Sequence, residues 1–296
     1  MSFNISWPEI MALTSSFTYS FTLLSLRQGI RSASPLSGAI VTSSVVFLLT
    51  AIMCLINGSY LQVNMNAIFW FAIAGCVGQG LGQFLAFTGV ERMGVSRASP
   101  IQASSPIWSV LLAVIFLRET PTLGVWIGAF CVFLGVALLS KSTEDDSSSG
   151  WSWFRGALVF PILASFCFGM MPVLTKFGYA YTSTPLLAIN IAFGSASLLL
   201  ISLYFTFRSR YQFHIDRRAV GWFSLAAITT GLSSLTFWTS LTLGDVSVLM
   251  PLSRLAPLWI LLWSYLFLKH LEKITVRIVI GALLVVLGGF FILSFK

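Results

Sequence analysis

Apolar runs of about 20 residues recur along the whole length of this sequence, and they restrict the folds open to it. A run of that length crosses a hydrocarbon core of about 30 Å as an α-helix. Inside lipid every backbone N–H and C=O needs a partner within the chain, which only helices and closed barrels provide. The runs are continuous rather than alternating in polarity, and they therefore predict an all-α membrane protein.

The composition supports a chain embedded in lipid. Hydrophobic residues make up 57% and charged residues 9% of the sequence, whereas soluble domains carry about 25% charged residues. The net charge of +8 comes from residues in short connections, so we expect a lipid bilayer and no nucleic acid as partner. The four cysteines lie inside apolar runs without metal-ligand spacing. We therefore expect no metal site and no cofactor.

Polar punctuation divides the sequence into ten predicted transmembrane helices. In the first half the predicted spans are Trp7–Leu26, Leu36–Ile56, Ala67–Val90, Ala98–Leu117 and Thr122–Leu139. In the second half they are Gly156–Phe177, Pro185–Phe207, Val220–Leu241, Val246–Leu268 and Val276–Leu293. The longest polar connection, KSTEDDSSSG from residue 141, has the composition of a solvated linker. We accordingly divide the chain into a first repeat (1–140), a linker (141–155) and a second repeat (156–296).

The two halves carry the same residues at matching positions. Residues 96–118 align with residues 247–269 without a gap: Ser96, Pro100, Pro106 and Trp108 match Ser247, Pro251, Pro257 and Trp259. After a two-residue insertion, Glu119, Gly128 and Gly135 match Glu272, Gly281 and Gly288. The opening helices match as well, with Ser16, Phe17, Arg27 and Gly29 against Ser165, Phe166, Lys176 and Gly178. These matches indicate an internal duplication.

An odd number of spans in each repeat gives the second copy the opposite membrane orientation. Inverted repeats of this kind are typical of secondary transporters, whose substrate site lies between the repeats near the bilayer midplane. Two near-equivalent halves around one cavity can exchange conformations and open it to either side. The repeat pattern therefore predicts alternating access.

The distribution of Lys and Arg predicts which side each connection faces. Connections after odd-numbered spans contain thirteen of the 17 basic residues, and the opposite side contains only Arg118, Lys176 and Lys296. Short cytoplasmic connections are enriched in Lys and Arg. This rule places both termini outside the cytoplasm, and we expect the protein in a bacterial inner membrane.

The duplicated Pro-x₅-Pro-x-Trp helices, each followed by a charged turn with Glu119 or Glu272 and a Gly-rich closing helix, resemble the drug/metabolite transporter superfamily. Within that superfamily the sequence is similar to the ten-helix EamA-type transporters over nearly its whole length. The resemblance implies the fold and transport of a small molecule, but one such scaffold serves many substrates. Many members of this type have both termini in the cytoplasm, whereas the charge pattern of this sequence predicts the reverse.

Arg254 is the charged residue placed deepest within a predicted span. An arginine near a helix centre costs about 2.5–3.5 kcal/mol on insertion scales and normally faces the bundle interior. Its planar guanidinium suits a carboxylate or a phosphate, which predicts an anion-binding role. The alternative is a structural role, in which it pairs with Asp245 or with neighbouring carbonyls.

Further candidate site residues come from the polar and aromatic side chains of the spans. Gln79, Gln83 and Gln102 carry amides that either bind substrate or join helices. Trp108, Trp259, Tyr19 and Trp238 are candidates for an aromatic wall, although Trp and Tyr also mark membrane interfaces. Pro100, Pro106, Pro251 and Pro257 predict kinks that serve as hinges or simply shape the bundle.

These observations favour a secondary transporter for a small polar or anionic metabolite, such as an amino acid or organic acid. No carboxylate lies in the middle of a predicted span, which favours exchange or facilitated transport over proton coupling. The alternative is a membrane scaffold or complex subunit that transports nothing. We do not expect an enzyme, because the sequence lacks a catalytic constellation. The sequence does not predict an oligomeric state.

Overall fold

The computed structural model describes residues 5–62, 64–140, 157–207, 214–267 and 276–296. Apart from turns, 3-10 segments and one isolated β-bridge, the described residues form helices. The first half contains α1 (Trp7–Gly29), α2 (Pro35–Ile56), α3 (Met65–Ala74), α4 (Gln83–Met93), α5 (Val95–Gln102), α6 (Ser105–Leu112) and α7 (Leu123–Ser140). The second half contains α8 (Val159–Tyr179), α9 (Pro185–Thr206), α10 (Arg217–Leu243), α11 (Val246–Ser253), α12 (Ala256–Phe267) and α13 (Val276–Phe295). The predicted linker, residues 141–155, lies outside the described residues.

These elements correspond to ten membrane-crossing helices, as predicted. Within the described ranges, eight helical stretches are long and apolar enough to cross a membrane, and a shorter apolar helix spans Leu123–Leu139. The tenth, α1, has 23 residues and buries serine and threonine side chains. The predicted all-α membrane fold is therefore confirmed.

Three of the crossing helices depart from regular α-geometry. A π-helix, Gly75–Gly82, joins α3 to α4, and its hydrogen bonds run from residue i to i+5 rather than i+4. The crossing made by α5 and α6 is interrupted at residues 103–104 and ends in a second π-helix, Ala113–Leu117. The crossing made by α11 and α12 is interrupted at residues 254–255. The two interruptions occupy matching places in the two repeats.

A pair of tryptophans joins the repeats in the same way. Trp108 on α6 donates its indole N–H to Ser165 Oγ on α8 at 3.1 Å, and its ring packs edge-on against Phe166. Trp259 on α12 donates to Ser16 Oγ on α1 at 2.8 Å and packs edge-on against Phe17. Each repeat thus binds the first helix of the other through the same pair of contacts. This reciprocity is expected of inverted repeats.

Two glycine contacts between repeats are reciprocal as well. A Cβ at Gly29 would lie 2.4 Å from the ring of Phe223, and a Cβ at Gly178 would lie 2.3 Å from the ring of Phe71. The antiparallel closing helices α7 and α13 approach closely, since a Cβ at Gly288 would lie 2.7 Å from the carbonyl oxygen of Gly128. Small residues of this kind allow the close helix approach on which membrane proteins depend.

Candidate substrate site between the two repeats

Arg254 lies where the crossing formed by α11 and α12 is interrupted. It follows the last residue of α11, and its backbone N–H donates to the backbone carbonyl of Pro251 at 3.1 Å. The next residue, Leu255, precedes the first turn of α12. The N-terminus of a helix carries partial positive charge from the helix dipole. The start of α12 therefore adds positive potential directly after Arg254 in the chain.

The guanidinium of Arg254 lies between side chains of both repeats. Its Cζ is 5.7 Å from the ring centroid of Phe168 on α8, and it interacts electrostatically with Tyr19 on α1. Its Nε is buried and has no hydrogen-bond partner among the described residues. Asp245, the predicted alternative partner, lies at the opposite end of α11, nine residues or roughly 13 Å along the axis. Arg254 therefore retains an unused buried donor.

Tyr19 and Phe168 occupy matching positions in the two repeats, three residues after Ser16 and Ser165. Tyr19 was predicted from the sequence as a site residue, whereas Phe168 was not. The alignment of the opening helices contains the signal that identifies Phe168, because any residue that faces the site from α1 has a counterpart on α8. Arg254 thus interacts with two aromatic side chains that occupy matching positions in the repeats.

Two of the three glutamines lie in the π-helix that joins α3 to α4 or directly after it, and the third lies on α5. Gln79 sits within the π-helix, and its Nε2 is 3.7 Å from Met171 Sδ on α8. Gln83 is half-buried and begins α4. Gln102 ends α5 and donates from Nε2 to the carbonyl of Ala86 at 3.2 Å. The structure therefore brings Gln79 against the first helix of the second repeat, while Gln102 joins two helices of the first.

The structure places the aromatic candidates differently. The indole N–H groups of Trp108 and Trp259 are both engaged by serine hydroxyls between repeats. Trp238 is 1% exposed and lies in the hydrophobic core, with its ring 6.4 Å from that of Phe71. Among the four aromatic candidates, Tyr19 is the one that interacts with Arg254 in the described part of the chain.

The four prolines lie close to the two interruptions. Pro100 and Pro251 are inside α5 and α11, and Pro106 and Pro257 stand in the first turns of α6 and α12. A proline in the first turn of a helix needs no N–H partner, which makes it compatible with a helix that restarts there. Their predicted role as hinges remains a prediction.

Charged residues gather at the end of the bundle that carries both termini, called here the terminal end. Lys296 forms an ion pair with the buried carboxylate of Glu9. Glu119, which sequence analysis noted only as part of a motif, accepts hydrogen bonds from the N–H groups of Val246 and Ser247, each at 2.9 Å. A cleft of about 310 Å³ lies at this end, lined by residues that include Thr120, Asp245 and Lys296.

No group of three or more His, Cys, Asp or Glu side chains within the described ranges is arranged to hold a metal ion. The four cysteines are free thiols, with Cys54 and Cys167 buried and the other two half-buried. Binding chemistry in the described part of the bundle therefore rests on hydrogen bonds, aromatic rings and the charge of Arg254.

Similar proteins are found in two archaea and among solved structures. The chain is 23% identical over 283 residues to an uncharacterized transporter of Archaeoglobus fulgidus, covering 94% of this chain and 95% of that protein. It is 28% identical over 102 residues to an uncharacterized protein of Methanocaldococcus jannaschii, covering 34% of this chain and 74% of that protein. A crystal structure of a protein with 16% identity superimposes with a TM-score of 0.77 over 97% of this chain and 96% of its own, which shows a shared fold.

The model of the EamA-like transporter family matches the chain twice, at residues 6–141 and at residues 155–294. The two matches together cover nearly the whole chain, and the resemblance inferred from the duplicated Pro and Trp helices is confirmed. The chain therefore belongs to the EamA-like transporter family, within the drug/metabolite transporter superfamily, and is a membrane transporter.

Proposed function

We propose that this transporter moves a small anionic metabolite, such as an amino acid or an organic acid, and binds its carboxylate or phosphate at Arg254. The observation that carries this proposal is the buried Nε of Arg254, which lacks a hydrogen-bond partner among the described residues. A buried donor left without a partner costs about 1–3 kcal/mol, and more when it is charged. A bound anion would remove that cost and neutralise the charge.

The contacts between the repeats support alternating access as the mechanism. The half-helices α6 and α12 pack on the first helix of the opposite repeat through matching indole–hydroxyl bonds. Rocking one repeat against the other can preserve these contacts while opening the central site to either side. Within the described ranges no carboxylate lies in the middle of a crossing helix, so we infer exchange or facilitated transport rather than proton coupling.

The remaining site residues take supporting roles in this proposal. Phe168 and Tyr19 interact with Arg254 from one repeat each, while Gln79, Gln83 and Gln102 supply amides from the neighbouring helices. Residues at the two interruptions, rather than whole helices, change shape as the site opens. The charge pattern further predicts termini outside the cytoplasm of a bacterial cell.

A thermal-unfolding screen of the purified protein tests this proposal. Amino acids, organic acids, sugar phosphates, nucleotide conjugates and cationic drugs are added to the wild type, to Arg254→Ala and to Arg218→Ala. A ligand that binds only the folded state stabilises it by about 2.7 kcal/mol at a hundredfold excess over Kd. Arg218→Ala removes an exposed charge in the first turn of α10. We expect an anion to stabilise the wild type and Arg218→Ala but not Arg254→Ala.

Uptake of the same anion into proteoliposomes then separates transport from binding alone. Loss of uptake in Arg254→Ala together with retention in Arg218→Ala supports a transported anion. Stabilisation only by cations or neutral compounds, unchanged in Arg254→Ala, would show that Arg254 is structural. Binding without uptake in the wild type would favour a scaffold.

A further inference from the structure

The N-terminus of α11 is capped by a residue of the other repeat. Glu119 belongs to the turn between the second π-helix and α7, and its two carboxylate oxygens accept from the N–H groups of Val246 and Ser247. Both distances are 2.9 Å. A carboxylate is favoured at this position because it meets unpaired N–H groups and the positive end of the helix dipole. Glu119 therefore fastens the first repeat to the second at the terminal end.

The residue that ordinarily caps this helix is present and unused. Asp245 immediately precedes α11 and has the extended backbone of an N-cap residue, with φ −79° and ψ 141°. Aspartate is among the preferred N-cap residues, yet the Asp245 side chain makes no capping hydrogen bond to the described helix. It is exposed and lines the cleft of about 310 Å³, which leaves room for it to rotate.

The surroundings keep both carboxylates within reach of α11. Lys176 on α8 interacts electrostatically with Glu119 and with Asp245, so its charge favours either of them at this place. Arg118 directly precedes Glu119 and adopts the left-handed conformation, with φ 57°. Among the non-glycine residues that the structure describes, it is the one with a positive φ. Such a backbone is costly outside glycine and holds the turn in a specific direction.

We propose that α11 exchanges caps during transport: Glu119 of the first repeat holds its N-terminus when the terminal end is closed, and Asp245 of its own repeat replaces Glu119 when that end opens. Because α11 runs from this cap to Arg254, one rigid half-helix links the closure to the substrate site. The exchange allows the repeats to separate without leaving the N–H groups of Val246 and Ser247 unpaired. This inference rests on the alternating access proposed above, and it assigns Glu119 and Asp245 as positioning residues.

Distance measurement between spin labels tests the exchange. Labels are attached to Thr120→Cys and Leu243→Cys, two exposed positions that line the cleft from opposite repeats, in a protein whose four native cysteines are alanine. In lipid nanodiscs we expect Glu119→Ala to shift the populations towards the longer distance and Asp245→Ala towards the shorter one. Each shift should change the ratio of the two populations by about fivefold, the effect of losing one helix cap.

Three further variants make the result decisive. Glu119→Gln and Asp245→Asn keep the size of each side chain and should give smaller shifts in the same two directions. Asp216→Ala removes a carboxylate that accepts from Arg217 N–H at 2.7 Å within its own repeat, and it should leave the label distances unchanged. Shifts of opposite sign establish cap exchange.

Shifts of the same sign, or none in Glu119→Ala, overturn it. If Glu119→Ala leaves the distances unchanged while anion uptake still depends on Arg254, cap exchange alone is wrong. A terminal end that is equally rigid in every variant, together with no anion stabilisation of the wild type, overturns alternating access and cap exchange together.

Discussion

Two interfaces between the repeats, α6 with α8 and α12 with α1, share one pattern and differ in what surrounds it. Both contain a tryptophan that donates to a serine and packs edge-on against the following phenylalanine. At the position of Ser20 on α1, which accepts a second indole bond from Trp263, α8 has Gly169. A Cβ there would lie 2.6 Å from Trp108 Cβ, so α6 and α8 approach more closely than a side chain allows.

The differences extend to the centre of the bundle. Arg254 corresponds to Ala103 in the first repeat, and Tyr19 corresponds to Phe168 in the second. At the two interruptions the duplicated scaffold has therefore kept its prolines in both copies, while an arginine is present in only one. This separation suggests that symmetry serves the motion and asymmetry serves substrate binding.

Moving the charge between the repeats is the strongest test of this comparison. Ala103→Arg in the Arg254→Ala background places an arginine at the matching interruption of the other repeat. We expect it to restore part of the anion stabilisation that Arg254→Ala loses, because residue 103 lies at the interruption that matches residue 254 in the other repeat. Loss of a charge-assisted hydrogen bond costs about 1.5–3 kcal/mol, or about 10- to 150-fold in Kd.

The measurement is anion-dependent thermal stability of the two single variants and the double variant. Ala103→Arg alone provides the control, since a second charge at a half-buried position within the bundle should destabilise the unliganded protein. If the double variant binds no better than Arg254→Ala, the asymmetry of the site extends beyond the arginine.

Packing of the closing helices predicts the next largest effect. Gly288→Ala introduces a Cβ 2.7 Å from the carbonyl oxygen of Gly128, and backbone atoms must move to accommodate it. Overpacking of this kind costs about 1–3 kcal/mol. Gly231→Ala on α10 is the matched control, because nothing lies within 4 Å of its added Cβ. Thermal unfolding in detergent should show a lower midpoint for Gly288→Ala only, and equal midpoints would contradict the close approach of α7 and α13.

The fold was predictable because its signals are long and repeated. Ten apolar runs gave the number of crossing helices, and duplicated residues such as Pro106 and Pro257 gave the inverted repeats. Lipid requires each crossing backbone to satisfy its own hydrogen bonds, so hydropathy alone restricts the fold. For the same reason Arg254 stood out, since a charge within an apolar run is rare.

The finer features depend on contacts between residues far apart in the sequence. The cap formed by Glu119 on α11 joins residues more than a hundred positions apart, and no local pattern encodes it. The π-helix Gly75–Gly82 differs from an α-helix by one residue in each hydrogen-bonded turn. A glycine-rich sequence does not specify which of the two helices forms. Trp238 was a plausible wall residue by type, but its place in the core is set by tertiary packing.

The two tryptophans predict a smaller and nearly symmetric effect. Trp108→Phe and Trp259→Phe each remove one interhelical hydrogen bond, worth about 0.6 kcal/mol on average and at most about 1.7 in membrane proteins. Ser165 Oγ also accepts a hydrogen bond from Ser104 Oγ at 3.1 Å. Among the described residues, Ser16 Oγ accepts from Trp259 alone. We therefore expect Trp259→Phe to lower the free energy of unfolding slightly more. A larger loss in Trp108→Phe would contradict this assignment of the hydrogen bonds.

The smallest expected effect comes from making the aromatic pair identical. Tyr19→Phe gives both repeats the same side chain at this position, and no hydrogen bond of the Tyr19 hydroxyl is seen among the described residues. We expect a change in the free energy of unfolding below about 0.5 kcal/mol and less than about a twofold change in anion Kd. Phe168→Ala, which removes the ring 5.7 Å from Arg254 Cζ, should weaken binding more, because an aromatic face within about 6 Å stabilises a guanidinium by about 0.5–1 kcal/mol. If Tyr19→Phe weakens binding as much as Phe168→Ala does, the Tyr19 hydroxyl contacts the substrate, and the difference between Tyr19 and Phe168 belongs with Arg254 to the asymmetry that selects it.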